Sequence, residues 1–299
     1  MDEETLFEMS VDTLDDLPSI KDIYDLSGKV AVVSGTVGLA LSVIYRLASC
    51  GAKVVFGARR ENLGQMVEDH LRQMGLEVRF HKLDASSVES CQEIVAFAEE
   101  TYGTVDIVVP VAAAFFARAF VDIKESEYDK IVDVDQKGQY FLVQAAARSM
   151  IRGGRGGKVV TVASVAYRGE DMPKLAMMTA YNSAKAGVVG MSRGIAKELK
   201  LYGINVNCVA PGGMVTPGAI FNNATTAALY GAEWTHYVTE YGSSVPVASN
   251  PDEIARMILT MCTPMSDFMY GQLIEVDGGS QYSFQDKPWS YTMEGGVHG

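Results

Sequence analysis

The chain has 299 residues, of which 48% are hydrophobic, 21% charged and 9% aromatic, and it carries a formal net charge of −12. This is the composition of a folded globular protein, and it excludes wholesale disorder, a collagen-like repeat and a disulfide-stapled miniature. Such acidity argues against a general nucleic-acid binder, whose affinity rests on Lys and Arg neutralising phosphates.

Residues 1–26 hold nine carboxylates, Asp2, Glu3, Glu4, Glu8, Asp12, Asp15, Asp16, Asp22 and Asp25, against Lys21; −8 of the charge lies there and −4 in the remainder. The stretch reads as an N-terminal extension, either mobile or laid over a neighbouring surface through Leu6, Phe7, Leu14 and Ile23. Its Met-Asp-Glu-Glu start lacks the basic and apolar regions of a signal peptide, and no uncharged apolar run approaches the roughly 20 residues of a bilayer span. Cys50, Cys91, Cys208 and Cys262 form no C-x-x-C pair. A cytoplasmic protein with no membrane partner is expected.

From Lys29 the rhythm changes. Short β-branched runs at 29–34, 52–56, 78–83, 105–109, 158–163, 204–210 and 272–276 predict buried strands. Segments of helical spacing lie between them, at about 38–50, 60–74, 86–102, 125–152, 179–202 and 250–263. Strand alternating with helix predicts an α/β fold: a Rossmann-like, doubly wound parallel sheet of about seven strands with helices on both faces. One domain over 27–280 accommodates it, since α/β folds of about 250 residues are often single domains. Asn250, Pro251 and Glu253 spell a helix start: cap, first-turn proline and capping-box acid. The stretch 212–248 lacks strand character and reads as a lid. The tail 281–299, with Tyr282, Phe284, Trp289 and Tyr291, is too aromatic for a solvated end.

The first strand runs into Ser34-Gly35-Thr36-Val37-Gly38-Leu39-Ala40 and then an apolar helix. A glycine turn there lets backbone N–H groups and the positive helix end approach a pyrophosphate; tight packing alone is the other account. The second strand ends Ala58-Arg59-Arg60. An acid at that point grips a ribose 2′-hydroxyl and an arginine grips a 2′-phosphate, so Arg59 and Arg60 favour NADP(H) over NAD(H). Asp84 ends the third strand, where an adenine amino group can be bound.

Tyr181-Asn182-Ser183-Ala184-Lys185 opens a helix, and the four-residue spacing sets Tyr181 and Lys185 on one face. Ser164 terminates the fifth strand, at the carboxyl edge where ligands of such sheets bind. In this ordered series, completed by Pro211-Gly212 and by Val276-Asp277-Gly278-Gly279, the chain resembles the short-chain dehydrogenase/reductase family over about 27–280. It is similar to the single-domain type of the 3-oxoacyl-carrier-protein reductases and the bacterial hydroxysteroid and polyol dehydrogenases. The resemblance implies an enzyme that interconverts a ketone and a secondary alcohol, with Tyr181 as acid/base, Lys185 as its tuner and nicotinamide-ribose ligand, and Ser164 orienting the substrate oxygen. It further implies that Gly35, Thr36, Gly38, Leu39, Asp84, Ala85, Ala112, Pro211, Gly212, Val215 and Thr216 line the cofactor, and that the chain forms a homo-oligomer, tetramer or dimer.

Four positions depart from the family pattern. The glycine turn is one residue short, reading Gly35-x-x-Gly38-x-Ala40. Pro110-Val111-Ala112-Ala113 stands where Asn-Asn-Ala-Gly is usual, which sets Val111 and Ala113 beside the expected nicotinamide path. Asp135 matches the helix asparagine of the catalytic tetrad; a carboxylate accepts but cannot donate as an amide does. In the family it is the main-chain carbonyl there that holds a relay water. Ser164 and Tyr181 are 17 residues apart, through an insertion around 170–178. Phe115, Phe116, Tyr167, Met172, Leu175, Met177, Met178, Met214, Ile220, Phe221, Tyr230, Trp234 and Tyr237 are candidate pocket walls, although core or interface packing accounts for them almost as well. They suit a bulky apolar ring ketone such as a steroid, bile acid or isoflavonoid. The same chemistry on a polyol or sugar acid is one alternative, and a cofactor-binding regulatory protein with reduced catalysis is another. His70, His81, His236 and His298 are scattered, so no metal is inferred.

Overall fold

Residues buried on both faces of a sheet must be apolar in sequence, and the β-branched runs form such a sheet. In the computed structural model, residues 2–11, 14, 16–169, 177–218, 228, 248–279, 290–291 and 297–298 are described. The main sheet takes its strands in the order β3-β2-β1-β4-β5-β6-β9, all parallel. They are β1 (Val30–Ser34), β2 (Lys53–Ala58), β3 (Val78–Lys82), β4 (Ile107–Pro110), β5 (Gly157–Val162), β6 (Ile204–Pro211) and β9 (Leu273–Val276). The two-residue strands β7 (Gly213–Met214) and β8 (Ala248–Ser249) pair with each other. The doubly wound α/β architecture expected from the alternation of runs is the one observed.

The period of two divides the core into two layers. Ala31 and Val33 of β1, with Val54 and Phe56 of β2, face a cluster built with α3 (Leu39–Ser49) and α9 (Pro251–Cys262). Val30, Val32 and Val55 face the opposite cluster, built with α5 (Val88–Tyr102), α7 (Gly138–Gly153) and α8 (Thr179–Leu199). Burying each valine or phenylalanine contributes roughly 1.5–3 kcal/mol, and the one buried polar side chain of β1, Ser34, stands at its carboxyl end and is hydrogen-bonded to the Ala112 N–H. Helix α4 (Glu61–Gln73) covers β3.

The N-terminal stretch holds two short helices that hydrophobic spacing did not predict, α1 (Glu3–Val11) and α2 (Ile20–Tyr24). Leu6, Phe7 and Leu14 are exposed. The stretch is fastened only towards its end, where the Tyr24 hydroxyl meets the Thr260 hydroxyl at 3.1 Å and Leu26 is buried. Of the expected lid, residues 212–218, 228 and 248 are described, and of the aromatic tail only 290–291 and 297–298; the rest of both lies outside the described residues. No described helix is long and apolar enough to cross a membrane.

Candidate active site

Parallel strands deliver their following loops to one edge. The loops after β1, β2, β3, β4, β5 and β6 carry Gly35, Arg59, Asp84, Val111, Ser164 and Gly212 respectively, and the strand order reverses between β1 and β4. Such a switch point is where ligands of open parallel sheets bind.

The shortened glycine turn still forms a cradle. Gly35 has φ +110° and its N–H donates to the Gly57 carbonyl at 2.7 Å. A Cβ there would lie 2.7 Å from that of Ala40. Gly38 has φ +58°, open to glycine at little cost, and its α-carbon faces Thr216 so closely that a Cβ would sit 3.1 Å from the threonine methyl. Gly38 caps α3 without a side-chain acceptor, and the first turn of α3 carries no acid. A helix N-terminus left with bare N–H groups and no competing carboxylate fits a pyrophosphate. The side chains of Thr36 and Leu39 are buried, so these two residues offer the cradle mainly their backbone.

Around the cradle, Arg59 and Arg60 are exposed and, among the described residues, pair with no carboxylate at salt-bridge distance. Asp84 accepts from the Ser86 N–H (3.0 Å) and hydroxyl (2.7 Å), which, with Arg59 nearby, holds its carboxyl below the ordinary value. Ala85 places its carbonyl against Gly138, where a Cβ would come within 2.1 Å. On the other side, Ala112 donates its N–H to the Ser34 hydroxyl at 2.9 Å, Gly212 donates to the Val276 carbonyl at 3.0 Å and Val215 to the Ser249 carbonyl at 3.1 Å; Pro211 is buried. Val111 packs into the first core layer, while Ala113 is exposed.

The catalytic candidates meet where α8 passes the end of β5. Lys185 is 1% exposed; its Nζ donates to the Val162 carbonyl at 3.1 Å and stands 3.2 Å from Asp135 Oδ2. The same ammonium lies 5.4 Å from the centre of the Tyr181 ring, and Phe115 sets its edge on that ring at 5.1 Å between centroids. Burial alone would strip Lys185 of its proton; the Asp135 carboxylate and, next, Tyr181 reverse this, and the ammonium is held above its usual range. Burial pushes the Asp135 carboxyl up, opposed by Lys185 and by the Ala114 N–H, which donates to Oδ1 at 2.6 Å. Ser164, extended at φ −163°, accepts the Ala166 N–H at 3.2 Å in the turn that α8 packs against.

Asp135 sits on a π-helical turn, Asp133–Lys137, between α6 (Glu125–Val132) and α7. Single π turns inside helices recur at functional sites because they redirect one side chain. Two supporting residues escape sequence reading. Gln139, one turn past Asp135, donates to the carbonyls of Asp135 (2.9 Å) and Val162 (2.8 Å) and accepts the Val162 N–H (3.0 Å). Ser34 pins the loop after β4 through Ala112. The only signal for Gln139 is a buried amide on an otherwise apolar helix face.

Of the candidate walls, Phe115, Met177 and Met178 are partly buried beside the site, with the Met177 carbonyl accepting from Arg118. Phe116 packs against a small cluster of Ile131, Ala180 and Ala184, and Met214 against the first core layer. Tyr167 gives its hydroxyl to Glu275 at 2.7 Å, a carboxylate also paired with Arg168. Met172, Leu175, Ile220, Phe221, Tyr230, Trp234 and Tyr237 lie outside the described residues. Among the described residues no group of three or more His, Cys, Asp or Glu could hold a metal ion.

The profile of a family described as "Enoyl-(Acyl carrier protein) reductase" matches residues 33–281. Galactitol 2-dehydrogenase of Agrobacterium fabrum is 30% identical over 268 residues, 86% of this chain and 99% of that protein. The 3-oxoacyl-(acyl-carrier-protein) reductase FabG of Thermotoga maritima is 30% identical over 262 residues, 85% of this chain and 98% of that protein. A variant of actinorhodin polyketide ketoreductase, solved with NADPH, superposes with a TM-score of 0.78 at 26% identity over 85% of this chain and 98% of that one. With its seven-stranded parallel sheet, the chain therefore belongs to the short-chain dehydrogenase/reductases, a family of oxidoreductases that use NAD(P)(H) on small-molecule substrates.

Proposed function

We propose that the chain interconverts a ketone and a secondary alcohol with NADP(H), on a bulky apolar ring substrate. The observation that carries this is the buried Lys185 ammonium held against the Tyr181 ring at the carboxyl edge of the sheet. Bound NADP(H) supplies or accepts the hydride. Tyr181 exchanges the proton at the substrate oxygen. A free phenol, with a pKa of about 10, is a slow acid/base near neutrality, and an adjacent cation typically shifts such a group by about 1–3 units towards the phenolate. Lys185 donates one N–H to the Val162 carbonyl and stands in ion-pair contact with Asp135, and its remaining donor capacity would serve the nicotinamide ribose. Ser164 orients the substrate carbonyl.

Preference for NADP(H) is supported by exposed Arg59 and Arg60 where an acid would select NAD(H), and by NADPH in the polyketide ketoreductase structure. The glycine turn from Gly35 to Leu39 would hold the pyrophosphate through the N–H groups that follow Gly35, Asp84 and Ala85 would hold the adenine, and Ala112 with the segment Pro211 to Thr216 would hold the nicotinamide. The ring substrate is supported by Phe115, which walls Tyr181 with an aromatic edge, and by that ketoreductase's polyketide substrate class. A polyol is the second reading, favoured by the likeness to galactitol 2-dehydrogenase.

A panel of ring ketones and polyols, followed by nicotinamide absorbance, tests this on wild type and Tyr181→Phe. Removing a positioned acid/base costs about 10²–10⁴-fold in turnover, and a loss of that size is expected. Equal turnover of the two proteins overturns the assignment, and turnover of polyols alone selects the second reading.

A further inference from the structure

Asp135 and Lys185 form a direct, buried pair: the carboxylate residue is 0% and the lysine 1% exposed. Taking two opposite charges out of water is costly, and the attraction between them offsets that cost only where further hydrogen bonds satisfy both groups. Here each group has one such bond, and Asp135 Oδ2 has no hydrogen-bond partner and faces the ammonium alone. Oδ1 accepts the Ala114 N–H at 2.6 Å, Oδ2 faces Nζ at 3.2 Å, and the Val162 carbonyl takes another ammonium proton at 3.1 Å. The main-chain carbonyl of Asp135 is engaged separately, by the amide of Gln139, which also spans the two backbone groups of Val162. The peptide group of residue 135 is thus anchored to β5, and its side chain is anchored to the loop after β4 and to Lys185.

We propose that Asp135 is a positioning residue that holds Lys185 by this buried ion pair and, through its opposite charge, moderates the field that Lys185 exerts on Tyr181. This rests on the catalytic reading of Tyr181. Among the described residues, the titratable groups that face Lys185 are Asp135 from the π turn, Tyr181 from its own helix and Cys208 from β6, whose thiol burial pushes up. Lys137 and Asp133, on the same π turn, pair with each other at the exposed surface. A lone buried ammonium beside a phenol favours the phenolate strongly. An ammonium with a carboxylate 3.2 Å from it presents the ring with a dipole, whose pull is weaker. Tyr181 accordingly keeps its proton to higher pH than it would beside Lys185 alone.

The test needs neither cofactor nor substrate. The absorbance of the Tyr181 phenolate is titrated in the cofactor-free protein, with Tyr181→Phe subtracted to remove the other tyrosines, in wild type and Asp135→Asn. Asparagine keeps the acceptor for Ala114 and loses the charge. The Tyr181 midpoint is expected to fall by about one unit in Asp135→Asn. In the loaded enzyme, the rise of alcohol oxidation with pH moves down by the same amount. A midpoint that is unchanged or raised overturns the proposal. Should Asp135→Asn not fold, thermal melting decides: Lys185→Met alone leaves an unpaired buried carboxylate and lowers Tm, and adding Asp135→Asn to it recovers part of the loss, whereas losses that add overturn the ion pair. Because the phenolate titration and the melting omit turnover, they can fail while Tyr181→Phe still abolishes catalysis, and the converse holds as well.

Discussion

Arg59 follows the last residue of β2, with its side chain in solvent and the Asp84 carboxylate within electrostatic reach. Two jobs are open to such a residue, neutralising Asp84 or gripping a 2′-phosphate, and they differ in what they do to NADH. Arg59→Ala is expected to weaken NADPH binding by about tenfold or more, as loss of a charge-assisted hydrogen bond worth roughly 1.5–3 kcal/mol implies, and to leave NADH nearly unchanged. Fluorescence titration of both cofactors measures this, and an equal loss for the two assigns Arg59 to Asp84 instead. At this scale the sequence exposes Tyr181 and Lys185, because a helix repeats its face every four residues and the pair needs no tertiary information. It hides what Lys185 binds. Asp135 lies fifty positions away on another element, and by itself it reads as a lost donor; only the fold shows it supplying a charge. Gln139 and Ser34 are hidden for the same reason, since their partners are backbone groups of distant strands.

Helix α9 begins as its sequence spells it: Asn250 accepts the Asp252 N–H at 3.0 Å, and Glu253 reaches back to the Asn250 N–H at 2.9 Å. From the same turn Asp252 takes both Nε (2.6 Å) and Nη2 (2.7 Å) of Arg46, tying α9 to α3 beneath the glycine turn. Asn250→Ala removes the cap and is expected to cost about 1 kcal/mol, read as a lower urea midpoint with an unchanged slope. A changed slope instead would mean that α9 detaches separately from the sheet. The β-branched runs place all seven strands of the main sheet within two residues of where they lie, because burial on both faces leaves little else those runs can do. The π turn at 133–137 is illegible. It ends where Gly138 lies close against the Ala85 carbonyl, and nothing in the local pattern of residues 125–153 announces it.

Across the whole molecule the charge and the chemistry are separate. Residues 1–18 carry seven of the carboxylates and no cation, with Leu6, Phe7, Leu14 and Leu17 exposed, and the extension meets the body at Tyr24 and Leu26. The extension is proposed to contact a second copy in an oligomer or to move freely. Deleting 1–18 brings the net charge from −12 to −5 and leaves α2, Tyr24 and Leu26 in place. The expected result is unchanged turnover with altered assembly or solubility, measured by light scattering after gel filtration. A lost hydride-transfer rate with assembly intact refutes it.

The strand order also bears on how the chain is made. β1 lies inside the sheet with β2 on one side and β4 on the other, and β4 is synthesised more than seventy residues after it. On the ribosome, the first three strands and their helices emerge while one edge of β1 is still bare, a row of unpaired N–H and C=O groups on a strand that is buried throughout in the folded protein. That edge closes only when residues 107–110 arrive, and the far side of the sheet waits for 273–276. Nascent chains stalled before residue 107 should therefore be strong chaperone clients, and chains stalled after β4 weaker ones, so that the topology that builds the cofactor edge also sets when the chain is most prone to aggregate.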